Sequence, residues 1–314
     1  MIGPHPGVQH TITQYLGLIR FSHTVFALPF AAMSMILAWN TPLPGGGDTL
    51  MYPPVRWTDM VAVLIAMVTA RTAAMAVNRL LDRHIDAKNP RTTDRHIPAG
   101  RISVAGALTL TIVSAVGFVA STLLFWPNWI PLALSIPVLA FLMGYSLAKR
   151  FTSAAHGWLG VALALSPICV WIAIRGVDAA MTVSDYAIPG LTAAMVAFWV
   201  TGFDIIYACQ DAEFDRQSGL HSVPARLGVA GALRTAAALH LIMIPLLGLL
   251  AYQGRVAGLG IVFAATVVIV AGLVVHQHRL VRPDDLSRVG QAFFQTNAII
   301  SVVLLVAVAI DCGL

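Results

Sequence analysis

Two short segments contain the acidic residues whose spacing could support chemistry. The segment NRLLDRHIDAKNPRTTDRHIPAG at 78–100 contains Asp82 and Asp86, and FDIIYACQDAEFDRQSGLHSVPARLG at 203–228 contains Asp211 and Asp215. The two residues of each pair are four positions apart, so they share one face of a helix. Carboxylates without His or Cys at ligand spacing suit a hard cation, and Mg²⁺ commonly bridges carboxylates to phosphate oxygens. The spacing therefore predicts a Mg²⁺ site that handles a phosphorylated substrate.

Other polar residues continue each acidic face toward the apolar part of its helix. The first face runs through Arg71, Met75, Asn78, Asp82 and Asp86. The second runs through Asp204, Tyr207, Asp211 and Asp215. A charged arginine two turns inside a bilayer costs about 2.5–3.5 kcal/mol. We therefore expect Arg71 to face an anion, which is either a substrate or a carboxylate of the second segment, Asp204 or Asp211.

The two segments form a parallel internal repeat. Asp82 and Asp211 are 129 residues apart, as are Asp86 and Asp215, and a turn containing Pro-Ala follows each pair, at Pro98 and at Pro224. Four predicted helices separate the two copies, which is an even number. Both acidic helix ends should therefore emerge on the same side of the membrane and converge.

The composition requires a membrane for the elements that carry these residues. The chain has 314 residues, of which 58% are hydrophobic and 11% charged, and its mean hydropathy is +0.81. One soluble core cannot bury so much apolar surface. Nine apolar runs are near the length that crosses a bilayer: 23–40, 58–78, 103–125, 129–148, 155–175, 188–209, 229–252, 256–278 and 289–310. The sequence predicts an all-α integral membrane protein of nine transmembrane helices, with 1–314 as a single membrane domain.

The distribution of Lys and Arg predicts the orientation, because cytoplasmic loops retain these residues. Of the 19 Lys and Arg residues, 15 fall on one side of the predicted helices, Arg71 lies within a helix, and only Arg56, Arg175 and Arg255 fall on the other side. The segment 1–22 and the loops 79–102 and 210–228, which carry the two acidic motifs, are thus expected to be cytoplasmic. The formal charge of +5 is explained by this topology and indicates no nucleic acid.

Three motifs together resemble the UbiA superfamily of intramembrane aromatic prenyltransferases. RTAAMAVNRLLDRHIDAKNPRTTDRHIPAG at 71–100 resembles its first signature, YSLAKRFTSAAHGWLG at 145–160 its Lys-Arg loop, and DIIYACQDAEFDRQSGLHSVPARLG at 204–228 its second signature. The resemblance covers almost the whole chain and is closest to the bacterial quinone-pathway branch. It implies a helical bundle with a central cavity, in the bacterial inner membrane.

The resemblance also implies an activity. Mg²⁺ would help to ionise a polyprenyl diphosphate, which would then alkylate an aromatic acid, either 4-hydroxybenzoate for ubiquinone or a dihydroxynaphthoate for menaquinone. The implied metal ligands are Asn78, Asp82, Asp86, Asp211 and Asp215. The residues expected to contact the diphosphate or the acceptor are Arg71, Asn78, Arg95, Lys149, Arg150 and Tyr207. Asp82, Asp211 and Asp204 are the expected catalytic residues, with Asp204 as the acceptor of the phenolic or ring proton.

Aromatic side chains near the reacting carbon could stabilise an allylic cation, by about 0.5–2 kcal/mol each. The candidates are Phe21, Phe26, Phe141, Tyr145, Phe198, Trp199 and Phe203. Most aromatic residues on bundle helices pack in the core or face lipid, so only some of these candidates are expected to line a site.

Several alternatives remain open from the sequence. Heme or a chlorophyll-type molecule could replace the aromatic acid as acceptor, because the same signatures serve those reactions. A secondary transporter would also contain repeats and buried charge, but its ionisable residues should lie near the bilayer midplane. The D-x-x-D-G-x-x-A-R motif of CDP-alcohol phosphotransferases is absent. The sequence indicates no obligate protein partner, and the three cysteines show no metal-ligand spacing.

Overall fold

The fold was obtained as a computed structural model, which describes residues 8–19, 27–44, 50–180 and 182–313. The α-helices are α1 (Val8–Leu18), α2 (Leu28–Asn40), α3 (Trp57–Asp86), α4 (Val104–Thr122), α5 (Ile130–Ala148), α6 (Ala155–Ala180), α7 (Ala187–Ala208), α8 (Ala212–Gln217), α9 (Val223–Gln253), α10 (Ile261–Arg279) and α11 (Thr296–Asp311). Apart from a single isolated β-bridge, the elements of the described residues are helical. The predicted all-α class is confirmed.

In the described part of the chain, eight helices are long and apolar enough to cross a membrane. They correspond to eight of the nine predicted spans. The remaining span, predicted at 23–40, is a shorter apolar helix, because α2 has 13 residues. Part of its predicted range, 23–26, lies outside the described residues. The chain is thus a multi-pass membrane protein, whose described residues form eight long apolar helices and one short one where the sequence predicted nine transmembrane helices.

Helix α3 extends beyond its predicted end. The apolar run ends at 78, whereas the helix continues to Asp86. Its 30 residues span about 45 Å at 1.5 Å per residue, which exceeds the hydrocarbon thickness of about 30 Å. Hydropathy therefore marks where the helix leaves the membrane, and Asp82 and Asp86 lie on its helical extension, as their spacing of four predicted.

Helix α7 is packed closely between α6 and α9 by two glycines. Gly160 of α6 faces Ala197 and Thr201 of α7, and a Cβ at Gly160 would lie 2.5 Å from the Ala197 carbonyl oxygen. Gly202 on α7 faces the ring of His240 on α9, where a Cβ would lie 2.5 Å from Cδ2. The small residues allow the helix backbones to approach, as is common in membrane bundles. They bring α7 close to both neighbouring helices and so position the second acidic segment, which begins near the end of α7.

A methyl group at Gly160 should separate α6 from α7. We expect Gly160→Ala to destabilise the purified protein by about 1–3 kcal/mol, because overpacked helix contacts must shift. Gly157→Ala is the matched control on the same helix, since a Cβ there meets nothing within 4 Å. The measurement is thermal unfolding in detergent. Equal midpoints for the two variants would contradict the close contact.

The buried core follows the centre of the bundle. Its largest fully buried side chains include Trp171, Trp199, Phe30 and Phe263. Large apolar residues such as Val268, Leu241 and Ile261 lie exposed on the outer faces. An exterior this apolar is suited to contact with lipid.

Arg175, which the sequence assigned to the outer side of the membrane, is buried among the helix ends. Its side chain is fully buried and binds both carboxylate oxygens of Asp185, at 2.7 and 2.5 Å. The same guanidinium donates to the carbonyl oxygens of Ala38, Thr41 and Pro42 at the end of α2. A helix leaves its last carbonyls without partners of its own, and Arg175 binds acceptors at and just beyond the end of α2. Arg175 therefore joins α2, α6 and the segment before α7.

Candidate active site

One cavity brings together the residues that the two acidic segments and the Lys-Arg loop contribute. Its empty volume is about 1430 Å³, including solvent at its mouth. It is lined by Arg71, Asn78, Asp82, Asp86, Arg95, Lys149, Arg150, Asp204, Tyr207, Asp211 and Asp215. All eleven predicted site residues therefore lie around a single space, as the internal repeat predicted.

The first acidic face is held by local contacts and by the loop after α3. Asn78 donates to Asp82 at 2.8 Å along the helix. Arg150 lies 3.4 Å from the other oxygen of Asp82. Arg95 binds Asp86 Oδ1 at 2.6 Å. The basic residues thus approach the acidic face from two different loops.

The second acidic face is contacted mainly from the first half of the chain. Arg91 makes two hydrogen bonds to Asp211, and Asn89 donates to the same carboxylate at 2.9 Å. Arg91 also donates to the Tyr207 hydroxyl at 3.1 Å. Lys149 lies 3.5 Å from Asp215. The 87–103 loop therefore connects the two acidic segments directly.

The electrostatics differ from the expected arrangement of four facing carboxylates around a cation. Each carboxylate has its own basic partner, and within the described residues no three His, Cys, Asp or Glu side chains form a ready-made metal site. Burial alone would lower the pKa of the Arg91 guanidinium, but the hydrogen bonds and charge interactions with Asp211 and Tyr207 together raise that pKa. Arg91 therefore stays charged and offsets Asp211.

Two buried carboxylate oxygens nevertheless lack a hydrogen bond. Asp86 Oδ2 and Asp215 Oδ2 accept none from the described residues, although Lys149 lies 3.5 Å from the latter. A buried carboxylate oxygen without a donor is costly unless a cation or another donor binds it. One such oxygen comes from each acidic segment, which fits a divalent cation held between the segments.

Arg71 lies deeper than the acidic residues and has no anionic partner. Its Nε is buried without a hydrogen bond, and none of its side-chain atoms forms an ion pair within the described part of the chain. The alternative pairing of Arg71 with Asp204 or Asp211 is not present among the described residues, where His156 contacts Asp204 and Arg91 binds Asp211. The guanidinium is therefore available to an anionic ligand.

A second, apolar cavity meets the polar one at Arg71. Its empty volume is about 1180 Å³, and it lies among α3, α4, α5 and α6. Both cavities are lined by Arg71, Met75, Tyr145, Leu159 and Leu163. A ligand with an anionic end and a long apolar chain could therefore occupy both spaces at once.

The predicted aromatic candidates divide among several environments. Tyr145 and Phe203 line the polar cavity. Trp199 is fully buried against Phe30, with ring centroids 5.1 Å apart. Phe141 packs on Trp158, and Phe198 packs against the core. Phe21 and Phe26 lie outside the described residues.

The residues of the cavity wall that were not predicted from the sequence include Asn89, His156 and Phe293. His156 was part of the Lys-Arg motif, and Asn89 directly follows the first acidic segment, so both had a positional signal. Phe293 belongs to a π-helical turn at Gln291–Gln295, for which no motif was apparent. Its ring lies 4.3 Å from that of Tyr207, measured between centroids.

Comparison with known proteins identifies the family of this chain. The model of the UbiA prenyltransferase family matches residues 27–299. The chain belongs to this family. A 4-hydroxybenzoate octaprenyltransferase of Nitrosomonas europaea is 30% identical over 250 residues, which cover 78% of this chain and 79% of that protein. The sequence-based expectation of a UbiA-type prenyltransferase is confirmed, and the transporter alternative finds no support.

Solved structures of UbiA proteins share the fold. A UbiA homologue from Aeropyrum pernix has a TM-score of 0.78 at 30% identity, covering 92% of this chain and 98% of that one. A UbiA homologue from Archaeoglobus fulgidus, solved with DMAPP and Mg²⁺ bound, has a TM-score of 0.68 at 16% identity, covering 96% of this chain and 99% of that one. At that lower identity the likeness concerns the fold. The helical bundle is thus a UbiA bundle.

Proposed function

We propose that this UbiA protein transfers a polyprenyl group from its diphosphate to 4-hydroxybenzoate, a step of ubiquinone biosynthesis, with Mg²⁺ as cofactor. The observation that carries the proposal is Arg71, a buried guanidinium without an anion where the polar cavity meets the apolar one. The name of the Nitrosomonas relative supports the choice of acceptor. A dihydroxynaphthoate, which also carries a carboxylate, is the competing acceptor.

The residues proposed to hold Mg²⁺ are Asn78, Asp82, Asp86, Asp211 and Asp215. The unsatisfied buried oxygens of Asp86 and Asp215 support this set, as does the binding of Mg²⁺ by the Archaeoglobus homologue. When bound, Mg²⁺ would neutralise charge that develops on the diphosphate leaving group. Asp82 and Asp211, one from each segment, would complete the set of ligands.

The basic residues would exchange partners when substrate binds. Four ion pairs now join Arg91, Arg95, Lys149 and Arg150 to the four carboxylates. If the carboxylates coordinate a cation, these four side chains can donate to diphosphate oxygens in the same cavity. Positioned donors of this kind stabilise a leaving group most strongly where water is scarce. The ion pairs thus keep both sets of charges balanced and close together.

The apolar cavity is proposed to hold the prenyl chain. Its walls exclude water from the carbon that loses the diphosphate. Tyr145 and Phe203 line the adjoining polar cavity and are candidates to face the allylic cation. The bond between that carbon and the diphosphate oxygen breaks with its electron pair on the oxygen. A ring carbon of the acceptor then forms the new bond and loses a proton.

The acceptor is proposed to bind through its carboxylate to Arg71, with Asp204 and Tyr207 beside the ring. A guanidinium binds a carboxylate with two parallel hydrogen bonds, which fixes the orientation of the ring. Asp204 lines the same cavity and is the proposed acceptor of the proton.

The skewed distribution of Lys and Arg supports a cytoplasmic N-terminus and a cavity that opens to the cytoplasm of a bacterium.

The Arg71 assignment can be tested with Arg71→Lys, which keeps the charge and loses the paired hydrogen bonds. In membranes with labelled polyprenyl diphosphate and a panel of aromatic acids, the wild type should prenylate 4-hydroxybenzoate, with the product identified by mass. We expect the variant to raise KM for the aromatic acid by at least about tenfold, as expected for loss of a charged hydrogen bond. Affinity for the diphosphate should change much less.

Two results would contradict this assignment. If affinity for polyprenyl diphosphate falls while that for the aromatic acid holds, Arg71 belongs to the diphosphate site. If the wild type prenylates only acceptors without a carboxylate, the proposed acceptor class is wrong. Arg83→Lys is the matched control, because Arg83 lies on α3 outside the cavity lining.

A further inference from the structure

His156 and Asp204 form a buried contact that the proposed reaction does not yet use. Nδ1 of His156 lies 2.6 Å from Asp204 Oδ2, and the imidazole is 1% exposed. We propose that His156 is a positioning residue that orients Asp204 to accept the acceptor's proton. This inference rests on the proposed function, because it assigns a role within the same reaction.

The second ring nitrogen determines which tautomer His156 adopts. The backbone N–H of Val223, the first residue of α9, donates to His156 Nε2 at 3.4 Å. A nitrogen that accepts a hydrogen bond carries no proton, so in the neutral ring the proton is on Nδ1. That proton points to Asp204 Oδ2. In this arrangement His156 donates to Asp204 Oδ2 and accepts from Val223.

The helices hold this contact in place from both sides. His156 lies one turn before Gly160, the residue that lets α6 approach α7 at Ala197 and Thr201. Asp204 follows Thr201 by about one turn on α7. The close approach of the two backbones thus continues directly into the His156–Asp204 contact. Val223 anchors the far edge of the ring from α9.

The remaining oxygen of Asp204 is left for substrate. Asp204 lines the polar cavity and is partly exposed there, at 20%, and its Oδ1 has no hydrogen bond among the described residues. When a ring carbon of the acceptor forms the new C–C bond, the hydrogen on that carbon leaves as a proton and its electron pair restores the aromatic ring. The proton passes to Asp204 Oδ1. His156 keeps its own proton throughout and fixes the carboxylate.

The test compares His156→Leu, which removes the donor, with His156→Asn, whose side-chain amide can reach Asp204 from the position of Nδ1. We expect His156→Leu to lower kcat for transfer by at least about tenfold, a fraction of the about 100- to 10,000-fold that acid–base catalysis contributes. KM for polyprenyl diphosphate and its acceptor-independent hydrolysis should stay unchanged. His156→Asn should recover most of kcat.

An acceptor deuterated at the attacked ring carbons provides a readout that a purely structural role would not move. If proton removal becomes slow without His156, His156→Leu should show a primary isotope effect that the wild type lacks. His84→Asn is the matched control, because His84 is exposed and outside the cavity lining. No isotope effect in His156→Leu, or equal loss of diphosphate binding in both His156 variants, would overturn the inference. If the wild type itself prenylates no aromatic acid, the proposed function fails instead.

Discussion

Asp82→Asn and Asp211→Asn should each lower the rate of prenyl transfer by at least about 100-fold, the usual effect of removing one preorganised electrostatic contact from an active site. The two residues come from different halves of the chain and line one cavity. Asparagine keeps the shape of the side chain and removes its charge, so a cation between the segments loses affinity. Arg150 and Arg91 would then also lack their present partners.

The double variant should lose little more than either single variant, because residues that act as one unit are not additive. Transfer is measured with labelled polyprenyl diphosphate in membranes, with the amount of inserted protein matched. Asp94→Asn is the control, since Asp94 is exposed in the same loop and does not line the cavity. Retention of full activity by both single variants would contradict the shared site.

Arg175→Met should cause the largest loss of stability, about 3–5 kcal/mol, because it leaves the buried Asp185 charged and unpaired. Asp185 would keep the hydrogen bond from the Trp171 indole, at 2.7 Å, and would lose its basic partner among the described residues. The carbonyls at the end of α2 would lose their donors as well. We expect the free energy of unfolding in detergent to fall accordingly, with the prenyl-transfer site chemically unchanged.

Arg255→Met is the matched control for this stability effect. Arg255 was assigned to the same outer side, but its guanidinium lies over the ring of Tyr252, which is 63% exposed. Removing such a contact should cost less than about 1 kcal/mol. If the two variants unfold at the same midpoint, the buried network around Arg175 does not stabilise the bundle.

The parts of the site that follow helical periodicity could be predicted from the sequence. The positions of Asp82 and Asp86 at a spacing of four, and the repeat at Asp211 and Asp215, place side chains on defined faces. An even number of intervening helices then brings these faces to one side of the membrane. Hydropathy also identified the spans, because the polarity of a helix reflects whether lipid or water surrounds it.

Contacts between distant segments could not be predicted in this way. The partners Arg91 and Asp211 are 120 positions apart, and His156 and Asp204 are 48 positions apart. Their pairing depends on how closely α6, α7 and the 87–103 loop pack, which no local pattern encodes. The burial of Arg175 could not be predicted for a related reason: charge counting assigns an arginine to a side of the membrane and does not show that the fold buries it against α2.

The affinity of the purified protein for polyprenyl diphosphate, measured with Mg²⁺ and again with EDTA, tests most directly whether the two acidic segments act together through a divalent cation. Tight binding that requires Mg²⁺ in the wild type, and that is weakened in Asp211→Asn when Mg²⁺ is present, is the result we predict. Equal affinity in Mg²⁺ and in EDTA, with Asp211→Asn indistinguishable from the wild type, would contradict it.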